Sequence, residues 1–228
     1  MRRQVLADAA SVAQEAAEVI AARARAAFAA RGRFILAVSG GRTPWQMLRL
    51  LAREDVPWAG LHVFQVDERI APLGHPERNL THLRDSLLAH APLREQQIHA
   101  MPVEAADLNA AAARYQQALA EIAGSPPILD LVHLGLGADG HTASLLPDDP
   151  ALEVTDSDVA LTGVHQGSRR MTLTYPIINR SRRILWVVTG PGKVAMLARL
   201  RAGDLTIPAG RVNPKQALVL TDCAAAGQ

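Results

Sequence analysis

The sequence predicts an α/β protein built on a mostly parallel sheet with helices on both faces. Three observations carry that prediction. Short apolar runs alternate along the chain with longer segments of helical periodicity. The runs are continuously apolar, as strands buried on both faces are. Polar, glycine-rich clusters follow four of them, at 39–44, 67–79, 135–147 and 189–193. Ligands of open α/β sheets bind there, outside the carboxyl ends of the strands.

Taken in order, Val5, Leu6, Ala9, Val12, Ala16, Val19 and Ile20 fall at helical spacing, which predicts a long opening helix over 5–30 stopped by Gly32. Phe34–Val38 is a short buried strand. Its exit loop is Ser39-Gly-Gly-Arg-Thr-Pro44, followed by a helix from Trp45 to Arg53 with Pro44 in its first turn. The rhythm recurs with a strand at Leu61–Val66, a loop from Asp67 to Asn79 and a helix from Leu80 to His90. A short strand near Ile98 precedes an Ala-rich helix over 105–123, and Ser125-Pro-Pro127 turns the chain into a strand over 128–134. Residues 158–164 and 169–175 read as a β pair around His165-Gln-Gly167. A strand from Arg182 to Val188, the loop Thr189–Lys193, a helix from Val194 to Arg201 and a strand at Ala217–Leu220 complete the series. With no linker, repeat or low-complexity tract, residues 1–228 are expected to form one domain.

Composition narrows the function. The 228 residues are 49% hydrophobic and 20% charged, a globular balance with enough chain to bury a substantial core. No apolar run approaches the roughly 20 residues of a membrane span. The basic start, Met1-Arg-Arg-Gln, leads into an Ala-rich segment interrupted by Asp8, Glu15, Glu18, Arg23 and Arg25, which lacks the core of a signal peptide. Cys223 is the one cysteine, so no internal disulfide forms and a reducing cytoplasm is the expected compartment. Net charge is +2, the 24 basic residues (22 Arg, 2 Lys) are scattered, and eight aromatics leave little for base stacking. Neither nucleic acid nor a membrane is an expected partner, whereas a small anion is compatible.

Ser39, Gly40, Gly41, Arg42 and Thr43, between a strand and a helix, form a candidate anion cradle. Free backbone N–H groups and the positive helix end attract phosphate, and the hydroxyls add donors. The stretch is neither a Walker A nor a Gly-x-Gly-x-x-Gly motif, so a nucleotide is not implied. Thr189-Gly-Pro-Gly-Lys193 repeats the pattern with a lysine, a compact charge suited to phosphate. In Asp67-Glu68-Arg69, Arg69 could grip a phosphate or sugar oxygen and either acid could bind hydroxyls or orient a catalytic group; a structural ion pair is the alternative. His141 alone among eight histidines lies in a glycine-rich loop with an acid, Asp139, two positions before it. Neutral imidazole can take a proton from water while the carboxylate fixes its tautomer or holds substrate hydroxyls. His62 and His133, within strand runs, read as incidental. No His-Glu-x-x-His motif or Cys/His cluster supplies a metal site. Ser144 is outside any Gly-x-Ser-x-Gly elbow, and Cys223, in an Ala-rich tail, reads as inert.

Together these motifs resemble the 6-phosphogluconolactonase family, within the group that includes glucosamine-6-phosphate isomerase/deaminases. The resemblance rests on Ser-Gly-Gly-x-Thr-Pro at 39–44, Val-Asp-Glu-Arg at 66–69, Asn79, Gly-x-Gly-x-Asp-Gly-His-Thr-Ala-Ser-Leu-x-Pro at 135–147 and Thr-Gly-x-x-Lys at 189–193, in family order over most of the chain. It implies a modified Rossmann-like three-layer sandwich and hydrolysis of 6-phospho-D-glucono-1,5-lactone to 6-phospho-D-gluconate, the second step of the oxidative pentose phosphate route. It further implies that residues 39–43, Arg69 and Lys193 surround the phosphate, that Asp67 belongs to the substrate site, and that His141 is a general base beside Asp139. No metal or organic cofactor is expected, and the protein would be a monomer or small homo-oligomer.

Two other readings compete. The isomerase/deaminase branch carries a glutamate five positions after the histidine and a tyrosine after Asp-Glu; here those positions are Leu146 and Arg69, although Asp67, the counterpart of the isomerase base, is present. A non-catalytic sugar-phosphate-binding regulator would need a DNA-binding extension for which 228 residues leave no room.

Overall fold

A computed structural model describes residues 1–165 and 167–228, so Gln166, in the expected turn around His165-Gln-Gly167, lies outside the described residues. Ten strands and seven helices are described: β1 (Arg2–Leu6), α1 (Ala9–Arg31), β2 (Phe34–Val38), α2 (Arg42–Leu51), β3 (Leu61–Gln65), β4 (Asp67–Arg69), α3 (Asn79–Leu83), β5 (Ile98–His99), α4 (Leu108–Ala123), β6 (Leu131–Leu134), β7 (Val159–Leu161), β8 (Arg170–Leu173), α5 (Tyr175–Arg180), β9 (Ile184–Val188), α6 (Val194–Ala202), β10 (Ala217–Asp222) and α7 (Cys223–Ala226).

Seven strands form one parallel sheet in the order β1-β10-β9-β6-β2-β3-β5. Its inner strands β2, β6 and β9 are buried at every position and β3 and β10 at all but one, which is why they read as largely apolar runs, whereas the outermost β1 and β5 are more exposed. Side-chain alternation divides them between two layers. Phe34, Leu36 and Val38 face the layer of α1, α2 and α3, with Val12, Ile20, Met47, Leu48, Leu51 and Leu83. Ile35 and Ala37 face the other layer, with Tyr115 and Leu119 of α4, Ile177 of α5 and Leu197 of α6. The expected three-layer architecture is therefore present. A second, antiparallel sheet, β4-β8-β7, packs Val159, Met171 and Leu173 into that second core.

From β2 the chain winds outward through β3 to β5. It returns at β6 on the other side of β2 and winds outward again through β9 to β10. The topological switch point thus falls between β2 and β6, the place where this class of sheet opens a crevice.

Several expectations are corrected. Helix α1 begins at Ala9, not at residue 5: Asp8 caps it, its carboxylate accepting the Ser11 N–H at 2.7 Å. Val5 and Leu6 instead pair in β1 with Thr221 and Asp222 of β10, a contact across almost the whole chain that local periodicity does not register. Helix α2 starts three residues before Trp45, with Gly41 as its N-cap. The loop expected from Asp67 begins as strand β4, and the helix expected over 80–90 is a short α3 that continues as a π-helical turn, Arg84–Leu88. Helix α5, six residues long, is too short to give a periodic signal in the sequence. The strand expected over 128–134 narrows to Leu131–Leu134.

Candidate active site

The carboxyl ends of β2, β6 and β9 meet the edge of the second sheet around a cleft of about 390 Å³. It is lined by Ser39, Gly40, Gly41, Arg42, Thr43, Asp67, Arg69, His141 and Lys193, which were singled out from sequence. Asp139 is not among the residues that line the cleft but bonds His141, which is.

The cradle follows β2 directly. Gly41, at φ 135°, lies in a region that favours glycine and caps α2. Gly40 has a packing reason: a Cβ there would run into the Asn79 side chain and the Trp45 ring. Among the described residues, the N–H groups of Gly40, Gly41, Arg42 and Thr43 donate to no protein acceptor. This matches the orphan donors of a helix start. Thr43 Oγ1 lies 2.7 Å from Thr189 Oγ1, joining the cradle to the loop that carries Lys193. That loop is anchored by Asp222, whose carboxylate accepts the Gly190 N–H at 3.0 Å. The Ser39 hydroxyl is turned inward and donates to the His133 carbonyl at 3.1 Å.

The His141 loop is bound to itself. Gly137 N–H donates to the His141 carbonyl at 2.8 Å and Thr142 Oγ1 to the Gly135 carbonyl at 2.9 Å. A Cβ at Gly137 would collide with the His141 ring and the Asp139 carboxylate, so glycine makes room for the pair. His141 Nδ1 lies 2.6 Å from Asp139 Oδ1, and the same oxygen accepts the His141 backbone N–H at 3.1 Å. Partial burial tends to raise the Asp139 carboxyl, but the backbone N–H, charge and ring of His141 outweigh it and hold the group below the ordinary carboxylate range. An ionised Asp139 accepts a proton-bearing Nδ1, which leaves Nε2 as the basic nitrogen of neutral His141. Just beyond, Ala143 adopts φ 52° on the cleft wall, a left-handed conformation uncommon for a residue with a Cβ.

The structure separates the two acids of 67–68. Glu68 is fully buried and accepts the N–H groups of Asn79 and Leu80 at 2.8 Å each, at the start of α3, and pairs with buried Arg78 at 3.1 Å. It is a structural anchor. Asp67 faces the cleft, where Ser144 Oγ donates to its Oδ2 at 2.6 Å and Asn79 Nδ2 donates to its carbonyl at 2.9 Å. Burial pushes the Asp67 carboxyl above its ordinary range; the Ser144 hydroxyl and the charges of Arg69 and Arg170 act against that rise.

Arg170 was not singled out from sequence. It sits on β8 directly opposite Arg69 on β4, so two guanidinium-bearing residues are cross-strand partners at the cleft. Arg69 Nη1 donates to the Glu77 carbonyl at 2.8 Å, yet among the described residues neither arginine forms a salt bridge. Burial, then the charge of Arg69, pulls Arg170 below its ordinary value. Like charges opposite one another are destabilising, and an anion in the cleft would relieve that. The sequence signal for it is a basic residue in the expected β pair 158–164/169–175, whose further antiparallel partner, β4, has the local look of a loop.

Among the described residues, no group of three or more His, Cys, Asp or Glu side chains is placed to hold a metal ion, and no helix is long and apolar enough to cross a membrane.

Fold and cleft define an α/β protein that brings a run of backbone N–H groups, unpartnered among the described residues, and a histidine–aspartate pair together at its switch point. The chain belongs to the family described as glucosamine-6-phosphate isomerases/6-phosphogluconolactonase, whose profile matches residues 7–221. It is 39% identical over 207 residues to the 6-phosphogluconolactonase of Synechocystis sp., covering 88% of this chain and 86% of that protein. It is likewise 39% identical over 217 residues to the 6-phosphogluconolactonase of Mycobacterium tuberculosis, covering 89% and 88%. Among solved structures, 6-phosphogluconolactonase from Trypanosoma cruzi superposes with a TM-score of 0.88 at 25% identity, covering 100% of this chain and 96% of the other. A monomeric glucosamine-6-phosphate deaminase superposes with a TM-score of 0.86 at 21% identity, covering 100% and 99%, which is a likeness of fold.

Proposed function

We propose that this protein is a 6-phosphogluconolactonase, hydrolysing 6-phospho-D-glucono-1,5-lactone to 6-phospho-D-gluconate in the pentose phosphate pathway, with His141 activating the water. The observation that carries the reading is that His141, 2.6 Å from Asp139, shares one cleft with four backbone donors that among the described residues have no partner. The relatives named 6-phosphogluconolactonase support the same substrate.

In this mechanism the substrate phosphate is held by the N–H groups of Gly40 to Thr43 and by Lys193, with Arg42, Arg69 and Arg170 adding positive charge. Asp67 accepts sugar hydroxyls. The Nε2 of His141 takes a proton from water as the water oxygen bonds to the lactone carbonyl carbon. The carbonyl π pair moves to oxygen and gives a tetrahedral oxyanion. Its collapse breaks the bond to the ring oxygen, which leaves with the proton from His141 as the C5 hydroxyl of the acid. The new carboxylic acid then loses its proton to solvent. A lactone is an activated ester, so the moderate acceleration of general-base catalysis, roughly 10²–10⁴-fold, together with positioning by the remote phosphate, suffices.

The isomerase alternative is disfavoured at a specific place. The position that carries its glutamate is Leu146, apolar and buried. The test is to give the protein fresh 6-phosphogluconolactone and, separately, glucosamine 6-phosphate. Acid release above the spontaneous rate with no ammonia is expected; ammonia release alone, or acceleration of neither reaction, overturns the proposal.

A further inference from the structure

We propose that His133, inside the sheet on β6, is a positioning residue that parts β2 from β6 and thereby sets the Ser39–Thr43 cradle. The inference rests on the cradle being the phosphate site. Strands β2 and β6 pair in parallel through Leu36↔Leu131 and Ala37↔Val132. One step further the backbone ladder gives way to side chains. The Ser39 N–H donates to His133 Nδ1 at 3.2 Å, and the Ser39 hydroxyl donates to the His133 carbonyl at 3.1 Å. An imidazole therefore stands where a strand-to-strand bond would continue, at the switch point where the cleft opens.

The chemistry of the ring fits this use. His133 is fully buried, and burial pushes its pKa down to about 3, so the ring is neutral. Accepting at Nδ1 places its one hydrogen on Nε2, which among the described residues has no partner. A buried donor left unpaired is rare, so packing does not account for a histidine here; the acceptor at Nδ1 is what the position uses. The consequence runs into the cradle. Both donors of Ser39 are spent inward, on β6, and the N–H groups of the peptides that follow, Gly40 to Thr43, have no acceptor among the described residues. Ser39 thus acts as the hinge post of the cradle, with its hydroxyl facing β6 and not the anion.

The test compares His133→Leu with His133→Asn, since an asparagine Oδ1 occupies about the same place along the side chain as Nδ1. For the leucine variant we expect KM for the phosphorylated lactone, and the dissociation constant of inorganic phosphate, to rise about tenfold. Its kcat should stay within about threefold, and hydrolysis of unphosphorylated gluconolactone should be unaffected. The asparagine variant should recover most of the loss. Unchanged phosphate affinity in the leucine variant, or equal losses on both lactones, overturns the role. Absence of lactone hydrolysis by the wild-type protein would sink the proposed function while the phosphate arm still decides the role of His133. Should the leucine variant not fold, ¹⁵N NMR of the wild-type ring decides: a neutral Nε2–H tautomer is expected, and an Nδ1–H or doubly protonated ring overturns the proposal.

Discussion

The two edges of the main sheet handle arginine in opposite ways. At the amino edge, buried Asp130 accepts Arg31 at 2.6 Å and Arg182 at 3.3 Å, with its other oxygen taken by the Ile35 N–H at 2.9 Å. Arg180 there, half-buried, pairs with Asp158 at 2.7 Å. At the carboxyl edge, half-buried Arg69 and Arg170 stand opposite each other near Arg42 and Lys193, and among the described residues neither guanidinium forms a salt bridge. Half-buried cations are normally matched because desolvation costs more than an exposed charge would. On the proposed reading a ligand would supply the negative charge for the unpaired set, whereas the paired set is closed by the chain's own carboxylates.

The largest effect is expected at the base. His141→Ala should lower kcat by about 10²–10⁴-fold while binding of 6-phosphogluconate persists, because the cradle is untouched; turnover at the wild-type rate removes His141 from the mechanism. Next come the arginines, where the two edges should part. Arg170→Gln should raise KM by about tenfold or more, as loss of a hydrogen bond to a charged group of about 1.5–3 kcal/mol implies, without loss of thermal stability, since a like-charge pair is relieved. Arg182→Gln should leave the kinetics alone and cost about 0.2–1 kcal/mol in denaturant unfolding, the range of exposed ion pairs. Equal kinetic effects from both would erase the distinction.

A smaller effect lies in the pH dependence of stability. His133 falls to about 3 on folding from an ordinary value of 6.5. Between those values the unfolded chain holds a proton that the folded chain does not, so stability is fully present above the window and is lost as pH falls through it, by up to about 1.4 kcal/mol per unit. Urea unfolding at about pH 7 and about pH 5 should therefore show a shallower decline for His133→Leu than for the wild type. His99, lowered to about 4 by burial, contributes in the same sense to both proteins. Parallel declines would contradict a neutral buried His133.

Much of this was legible in the sequence because it is local. Strand exits, the glycine–proline chemistry of 39–44 and the Asp139/His141 spacing are written within a few residues, and the structure brings them to one cleft, with Asp139 bonded to the His141 that lines it. What escaped depends on distant partners. Val5 and Leu6 look helical until β10 pairs with them, and β4 looks like loop until β8 does. Arg170 is one arginine among 22 until its strand lies opposite Arg69. His133 read as incidental because a histidine in an apolar run announces neither its depth nor the Ser39 N–H it receives. Glu68 and Asp67, adjacent in sequence, could not be told apart until alternation along β4 placed their carboxylates in different surroundings.

The most direct test of the contrast between the edges is a backbone amide NMR titration with 6-phosphogluconate. Perturbations concentrated at Gly40, Gly41, Arg42 and Thr43 and through Gly135–His141 are predicted, with Arg31, Ile35 and Arg182 unmoved. Perturbations centred on the amino edge, or none at saturating ligand, would contradict the account.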